Sequence, residues 1–465
     1  MTRVRIARGS FLTTLVLLAT ALVVFAVAAG YRVLVQAGDP GPPMAPAILP
    51  PTPAVQATAP QESYQGFLYG RISTVDGATY EGRLRWGGGE EAFWGDTFNG
   101  VKSENPWVAD VPPERLPRES RPVTIFGVTI AHNEQPIDTS RPFMARFGDI
   151  ARIAARGSNV RVTLKSGTVF DLDRFAASDF DDGVRVWDGR RGIVDLDSLR
   201  IRTIELLPTA PLGAVPRRLH GTVRTRQGNF AGFLQWNRQE GVGSDELDGE
   251  GAEGAIGLRF DTLRSIARRS RDSSLVTLLD GREIALSDTA EVGHGNRGVY
   301  VDDRRYGRVL VSWQTFERLD FTAGLPGTPG TPADTGPAYG SFPPGRPLTG
   351  SVTTRAGRHL AGRLVYDLDE SETTETLDAQ SQGVDYSILF GRIAAVAPLE
   401  PDADGASVTL LDGEELELEG SADVDRRHGG VLVFARDAER PEYVRWEEVR
   451  RIEFDRPPAL IPPLR

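Results

Sequence analysis

Short stretches in which apolar and polar residues alternate, each closed by a glycine-marked turn, recur along this chain at spacings of about ten residues. The plainest is VTLLDG at residues 276–281, which returns letter for letter at 408–413, with VTLKSG at 162–167 as a looser third copy. Val and Leu at alternate positions share one face of an extended segment. Asp280-Gly281 and Asp412-Gly413 supply the positive backbone angles of a tight hairpin. The motif therefore predicts a strand with its turn.

A second pattern precedes it. Gly70-Arg71-Ile72-Ser73-Thr74 runs on to Gly77, Gly82, Leu84 and Trp86. Gly221-Thr222-Val223-Arg224-Thr225 runs to Gly228, Gly232, Leu234 and Trp236, and Gly350-Ser351-Val352-Thr353-Thr354 to Gly357, Gly362, Leu364 and Tyr366. Each predicts a hairpin with one buried face. A loop follows, holding Asp96-Thr97-Phe98-Asn99-Gly100, then Asp245-Glu246-Leu247-Asp248-Gly249, and more faintly Thr376-Leu377-Asp378-Ala379. With the hexapeptides and the closing strands at 201–206, 316–321 and 449–454, the chain predicts three related all-β repeats with scarce helix.

The pattern G-x-[IV], then G, then G-x-L-x-[WY] resembles the first hairpin of Sm-like or SH3-like barrels. That resemblance implies a small β barrel or sandwich for each repeat. The RNA-binding residues of the Sm family are not carried over, because a net charge of −11 argues against displacing counterions from phosphates. No nucleic-acid partner is expected.

Phe11 to Gly30 reads FLTTLVLLATALVVFAVAAG, an uncharged run long enough to span a hydrocarbon core of about 30 Å as a helix. Arg3, Arg5 and Arg8 precede it, which places the N-terminus in the cytoplasm and the remainder outside. Ala26-Val27-Ala28 offers the rival reading of a cleaved signal peptide; either way the globular part is exported. The expected organisation is a cytoplasmic tip and transmembrane helix at 1–35, a proline-rich spacer at 36–64, repeat one at 65–208 with a long insertion at 100–146, and repeat two at 215–322. A Pro/Gly-rich linker at 323–347, repeat three at 348–456 and a tail at 457–465 complete it. The linker predicts that repeats two and three reorient, whereas the short 207–216 link predicts that repeats one and two pack together.

Candidate chemistry changes little. The absence of cysteine excludes disulfides and thiolate sites. His132, His220, His294, His359 and His428 lack the spacing of a metal pair, and His294 and His428 fall in similar glycine-containing loops read as polar turns. Asp171, Asp173, Asp179, Asp181 and Asp182 fit no calcium loop, and they and the runs 245–253 and 367–375 read as solvated acidic edges. Trp86, Trp236, Trp313 and Trp446 recur at matching places and read as core. Lysine stands only at Lys102 and Lys165, attributed to arginine-biased codon usage.

No catalytic, cofactor-binding or metal-binding residue is assigned, and no cofactor or small-molecule ligand is expected. The expected protein is a non-catalytic, single-pass scaffold of the bacterial inner membrane. It would touch the bilayer through Phe11 to Gly30 and serve as an accessory subunit of a larger complex, for instance a respiratory or photosynthetic one. An envelope module binding glycan or peptide through its loops is the alternative, and a hydrolase the third.

Overall fold

The computed structural model describes residues 66–456 apart from 88–91, 117, 126–127, 137–140, 176–177, 211–216, 323–335 and 400–403; within 117–140 only the backbone strands are described. The expected membrane segment, the 36–64 spacer, the front of the linker, the tail and the side chain of His132 lie outside the described residues. Among the described residues no helix is long and apolar enough to cross a membrane.

The fold is all-β. Ser178–Asp181 is the α-helix among the described residues, and the other helical pieces are 3-10 turns. In the first block the strands hydrogen-bond in the order Gly192–Leu196, Val184–Asp188, Thr79–Trp86, Tyr69–Thr74, Ile201–Leu206, Ile150–Arg156, Asn159–Leu164 and Val169–Asp173. The middle block follows the same path from Gly307–Val311 to Glu283–Ser287, then adds the hairpin Glu246–Gly251 with Gly254–Arg259. The third block runs likewise from Glu442–Val444 to the hairpin Thr376–Ser381 with Val384–Leu389.

That last hairpin corrects the sequence reading. The segments beginning near Asp96, Asp245 and Thr376 are strands, not loops. In the first block the matching pair, Thr97–Val101 with Pro142–Arg146, is split by the inserted residues 102–141. These carry 3-10 turns at Pro106–Asp110 and Pro113–Arg115 and a hairpin of Arg118–Ile125 with Val128–Pro136.

Alternation sets the buried face. In Ser273–Leu278, Val276 and Leu278 are buried while Thr277 is only partly covered. At the turn that follows, the Gly281 N–H donates to the Leu278 carbonyl at 3.0 Å and the Leu278 N–H to the Arg282 carbonyl at 2.8 Å. Only the glycine of Asp280-Gly281 is left-handed, at φ 90°; Asp280 instead accepts the Arg282 N–H at 2.9 Å. This is a type I turn with a glycine bulge, which needs one positive φ rather than two. The glycines at 82, 232 and 362 have another cause. A Cβ there would lie 1.9, 2.0 and 2.2 Å from the carbonyl oxygens of Trp187, Asp302 and Phe434, so the neighbouring strand passes where a side chain would stand.

The middle and third blocks do not behave as separately hinged units, contrary to the sequence expectation. Gly307–Val311 pairs antiparallel with Val384–Leu389, joining twenty strands into one sheet over one shared apolar core. A proline-rich connection constrains only how far two ends can separate, and an unpaired strand edge gains hydrogen bonds by finding another. The end of the linker is not free either. The Tyr339 ring lies 4.6 Å from that of Trp94 and its hydroxyl donates to the Ile150 carbonyl at 2.8 Å. Lys165 donates to the carbonyls of Tyr339 and Phe342 at 2.6 and 3.0 Å.

Candidate functional site

The residues singled out by sequence do not converge. His294 is exposed and meets Asp272; His220 and His359 are surface residues beside Thr322 and Thr353. Asp171 pairs with Arg161 at 2.6 Å, Asp173, Asp181 and Asp182 are exposed, and Asp179 accepts the Asn99 N–H at 2.7 Å. The run 245–253 is a solvated strand, as expected, with Leu247 and Gly249 turned inward. Trp86, Trp236, Trp313 and Trp446 are buried in the core. Among the described residues no set of His, Asp or Glu is arranged to hold a metal ion.

Two expectations fail at the same place. Asp367 to Glu370 and Glu372 are buried rather than solvated, and His428, although its N–H closes a turn on the Asp425 carbonyl, is buried as well. The reason is the insertion of the first block, which covers them. Tyr366 to Glu370 forms a tight turn closed by mutual backbone hydrogen bonds of 2.8 and 3.0 Å between Tyr366 and Glu370, with Asp367 at φ 51° and Leu368 at φ 55°. A left-handed leucine costs roughly 1–2 kcal/mol. Leu368 is fully buried against Val111, Val365, Leu432 and Tyr443, and burying a leucine returns roughly 1.5–3 kcal/mol, which offsets the strain.

The insertion brings the cations. Lys102 lies 2.5 Å from Asp369 and 3.7 Å from Glu375, buried with both. Burial works against its charge, yet Asp369 and Glu375 hold its pKa above the ordinary value. Arg141 donates to the Asp367 carbonyl at 2.9 Å and stands 3.4 Å from its carboxylate, which also accepts the Gly429 N–H. His428 stacks on Trp446 at 3.9 Å, and its Nδ1 accepts the Gly430 N–H at 2.9 Å, so the ring is neutral with its proton on Nε2. Burial, and then Arg141, push its pKa well down.

Lys102, Arg141, Asp367, Asp369 and Glu375 border a cavity of about 410 Å³ between the two blocks. Three further carboxyls line it with no ion-pair partner among the described residues: Glu370, Asp378 and Asp423. Asp378 accepts the Thr376 hydroxyl at 2.8 Å, and its N–H donates to the Asp423 carboxylate at 2.7 Å. Glu370 is 8% exposed and its Oε2 has no hydrogen-bond partner. Burial first, then repulsion from Asp369 on Glu370 and from Asp378 on Asp423, raises the pKa of Glu370 and Asp423 well above the usual carboxylate range, and burial raises that of Asp378. Phe143 and Phe170, with ring centroids 5.0 Å apart, form an apolar wall.

No family model, no curated protein and no solved structure matches this chain.

The signal that could have drawn attention here is composition. The two lysines both make cross-block contacts, Lys102 to the third block and Lys165 to the linker. The acids at 367–375 are also interleaved with Leu368 and preceded by Val365-Tyr366, unlike a plain solvated run.

Proposed function

We propose that the protein is a non-catalytic scaffold built from three copies of one ten-strand β block, exported and tethered by Phe11 to Gly30, and an accessory subunit of a larger inner-membrane assembly. Support for three copies comes from the shared pairing order and from hydrogen bonds that recur block by block. Trp86 and Trp236 Nε1 and the Tyr366 hydroxyl donate to the carbonyls of Asp179, Glu291 and Asp423 at 2.6, 3.1 and 2.6 Å. The side chains of those three acids in turn accept the N–H of Asn99, Asp248 and Asp378. Small β units of the SH3-like or Sm-like kind are the form we propose for each copy.

The observation that carries the scaffold reading is that each block grips both others. Asp96 of the first accepts Gln235 at 2.9 Å and Arg308 at 2.8 Å from the middle block. The middle and third share a sheet, and the first holds the third through Lys102, Asn105, Trp107 and Arg141. A body locked this way presents fixed surfaces to partners rather than closing over a substrate. We assign partner contact to the insertion that carries the strands Arg118–Ile125 and Val128–Pro136.

Crosslinking in native membranes tests this. Specific protein partners are expected, with fewer crosslinks after deletion of 118–136 in a chain that still folds. Extraction in mild detergent as a solitary monomer at native abundance would count against it.

A further inference from the structure

A buried carboxylate without a partner is costly, and a protein relieves the cost with a proton, a cation of its own or a bound cation. In the cavity between the first and third blocks, Lys102 and Arg141 answer Asp369, Glu375 and Asp367. No cationic side chain among the described residues forms an ion pair with Glu370, Asp378 or Asp423, although Asp378 and Asp423 accept hydrogen bonds from the Thr376 hydroxyl and the Asp378 N–H. Glu370 is the sharpest case: nine-tenths buried, lining the cavity, with Oε2 unpartnered. The space is within the usual range of ligand pockets, roughly 300–1,000 Å³, and has Phe143 and Leu164 along its wall.

We infer that this cavity binds a small aliphatic cation, its ammonium or guanidinium head at Glu370 and Asp423 and its methylenes against Phe143 and Leu164. A head group with several N–H donors would complete the hydrogen bonding that Glu370 lacks. An alkyl stem suits an apolar wall as the stems of Lys and Arg do. A bare divalent ion fits less well, because no three acids among the described residues are arranged around one point. The ligand would bridge the two blocks, since Phe143 and Leu164 belong to the first and Glu370 and Asp423 to the third.

Block two supplies the control. Glu240 follows the turn at Asn237 and Arg238, with φ 54° and 63°, as Glu370 follows Asp367 and Leu368, and its Oε2 is likewise buried and unpartnered. The acid that acts on it most strongly is Glu291, in the place Asp423 takes. It is not among the residues bordering the cavity.

The inference does not depend on the scaffold reading, and its test uses no partner protein. The full chain in detergent is titrated calorimetrically with putrescine, with agmatine and, separately, with calcium chloride. Saturable binding of one amine per chain is expected, weakened at least tenfold by Glu370→Gln and by Asp423→Asn, and unchanged by Glu240→Gln. Thermal unfolding of each variant establishes that it folds, and having two cavity variants guards against one that does not. No saturable amine binding, binding indifferent to both cavity variants, or saturation by calcium alone would overturn the inference.

Discussion

The third block is held by two junctions of opposite kind. Against the middle block it uses backbone over a shared apolar core: five residues of Gly307–Val311 pair with five of Val384–Leu389. Against the first block it uses buried charge and a small apolar cluster: Lys102 with Asp369 and Glu375, Arg141 with Asp367, and Val111 and Trp107 with Leu368 and Phe434. Backbone pairing depends little on which side chains are present, so it tolerates substitution and ignores salt and pH. A buried ion pair is the reverse, because removing one partner strands the other. One junction should therefore be insensitive to most single changes, and the other should be vulnerable to a few.

The largest effect is expected from Lys102→Met. It leaves Asp369 and Glu375 buried without their cation, at a cost of about 3–5 kcal/mol in urea unfolding near neutral pH. The loss should shrink in acid, where protons replace the ammonium. Hydrogen exchange should quicken in residues 102–116 and leave the amides of Gly307–Val311 protected. Equal loosening of both would mean that the junctions are one cooperative unit.

Val309→Pro attacks the other junction. Val309 lies between two paired strands, so proline removes a ladder hydrogen bond on one side and distorts the other, a loss of about 3 kcal/mol. Here the quickened exchange should fall in Val384–Leu389, with the Lys102 contacts retained. Val309→Ile, which keeps the backbone, should cost under about 1 kcal/mol, and a larger loss would show that side-chain packing governs this junction too.

Trp107→Ala is intermediate. The ring is half-buried, edge-on to Phe434 at 6.1 Å and under the Arg363 guanidinium at 5.3 Å, so about 1–2 kcal/mol is expected, independent of pH.

The same contrast explains what could be read from sequence. Strands such as Thr79–Trp86, buried at every second residue, and the glycine turns were legible because alternation and positive φ are local properties. The pairing of Gly307–Val311 with Val384–Leu389 was not, since main-chain hydrogen bonds carry no side-chain signature. The acids at 367–375 were misread for a related reason. A solvated acid and one covered by Lys102, two hundred residues and more away in the chain, look alike until the fold brings them together. Glycines 82, 232 and 362 were seen as a spacing, but their cause, a carbonyl on the crossing strand, lies a hundred residues away in Trp187 for the first of them.

Glu240→Gln makes the smallest change and the finest comparison. Glu240 titrates at about 8 in the folded protein, lifted by burial and then by Glu291, against an ordinary 4.5. The folded chain thus keeps a proton that the unfolded chain has released. The resulting penalty is absent below the ordinary pKa, grows as pH rises, and is complete above the folded one. Glutamine resembles the protonated form and escapes this. At about pH 5 the two proteins should unfold within ~0.5 kcal/mol of each other, while towards pH 9 the variant should be the more stable. Urea midpoints across that range measure the difference. Glu370→Gln should flatten the curve in the same sense, but by less once an amine occupies the cavity, because the bound cation then does for Glu370 what only a proton does for Glu240.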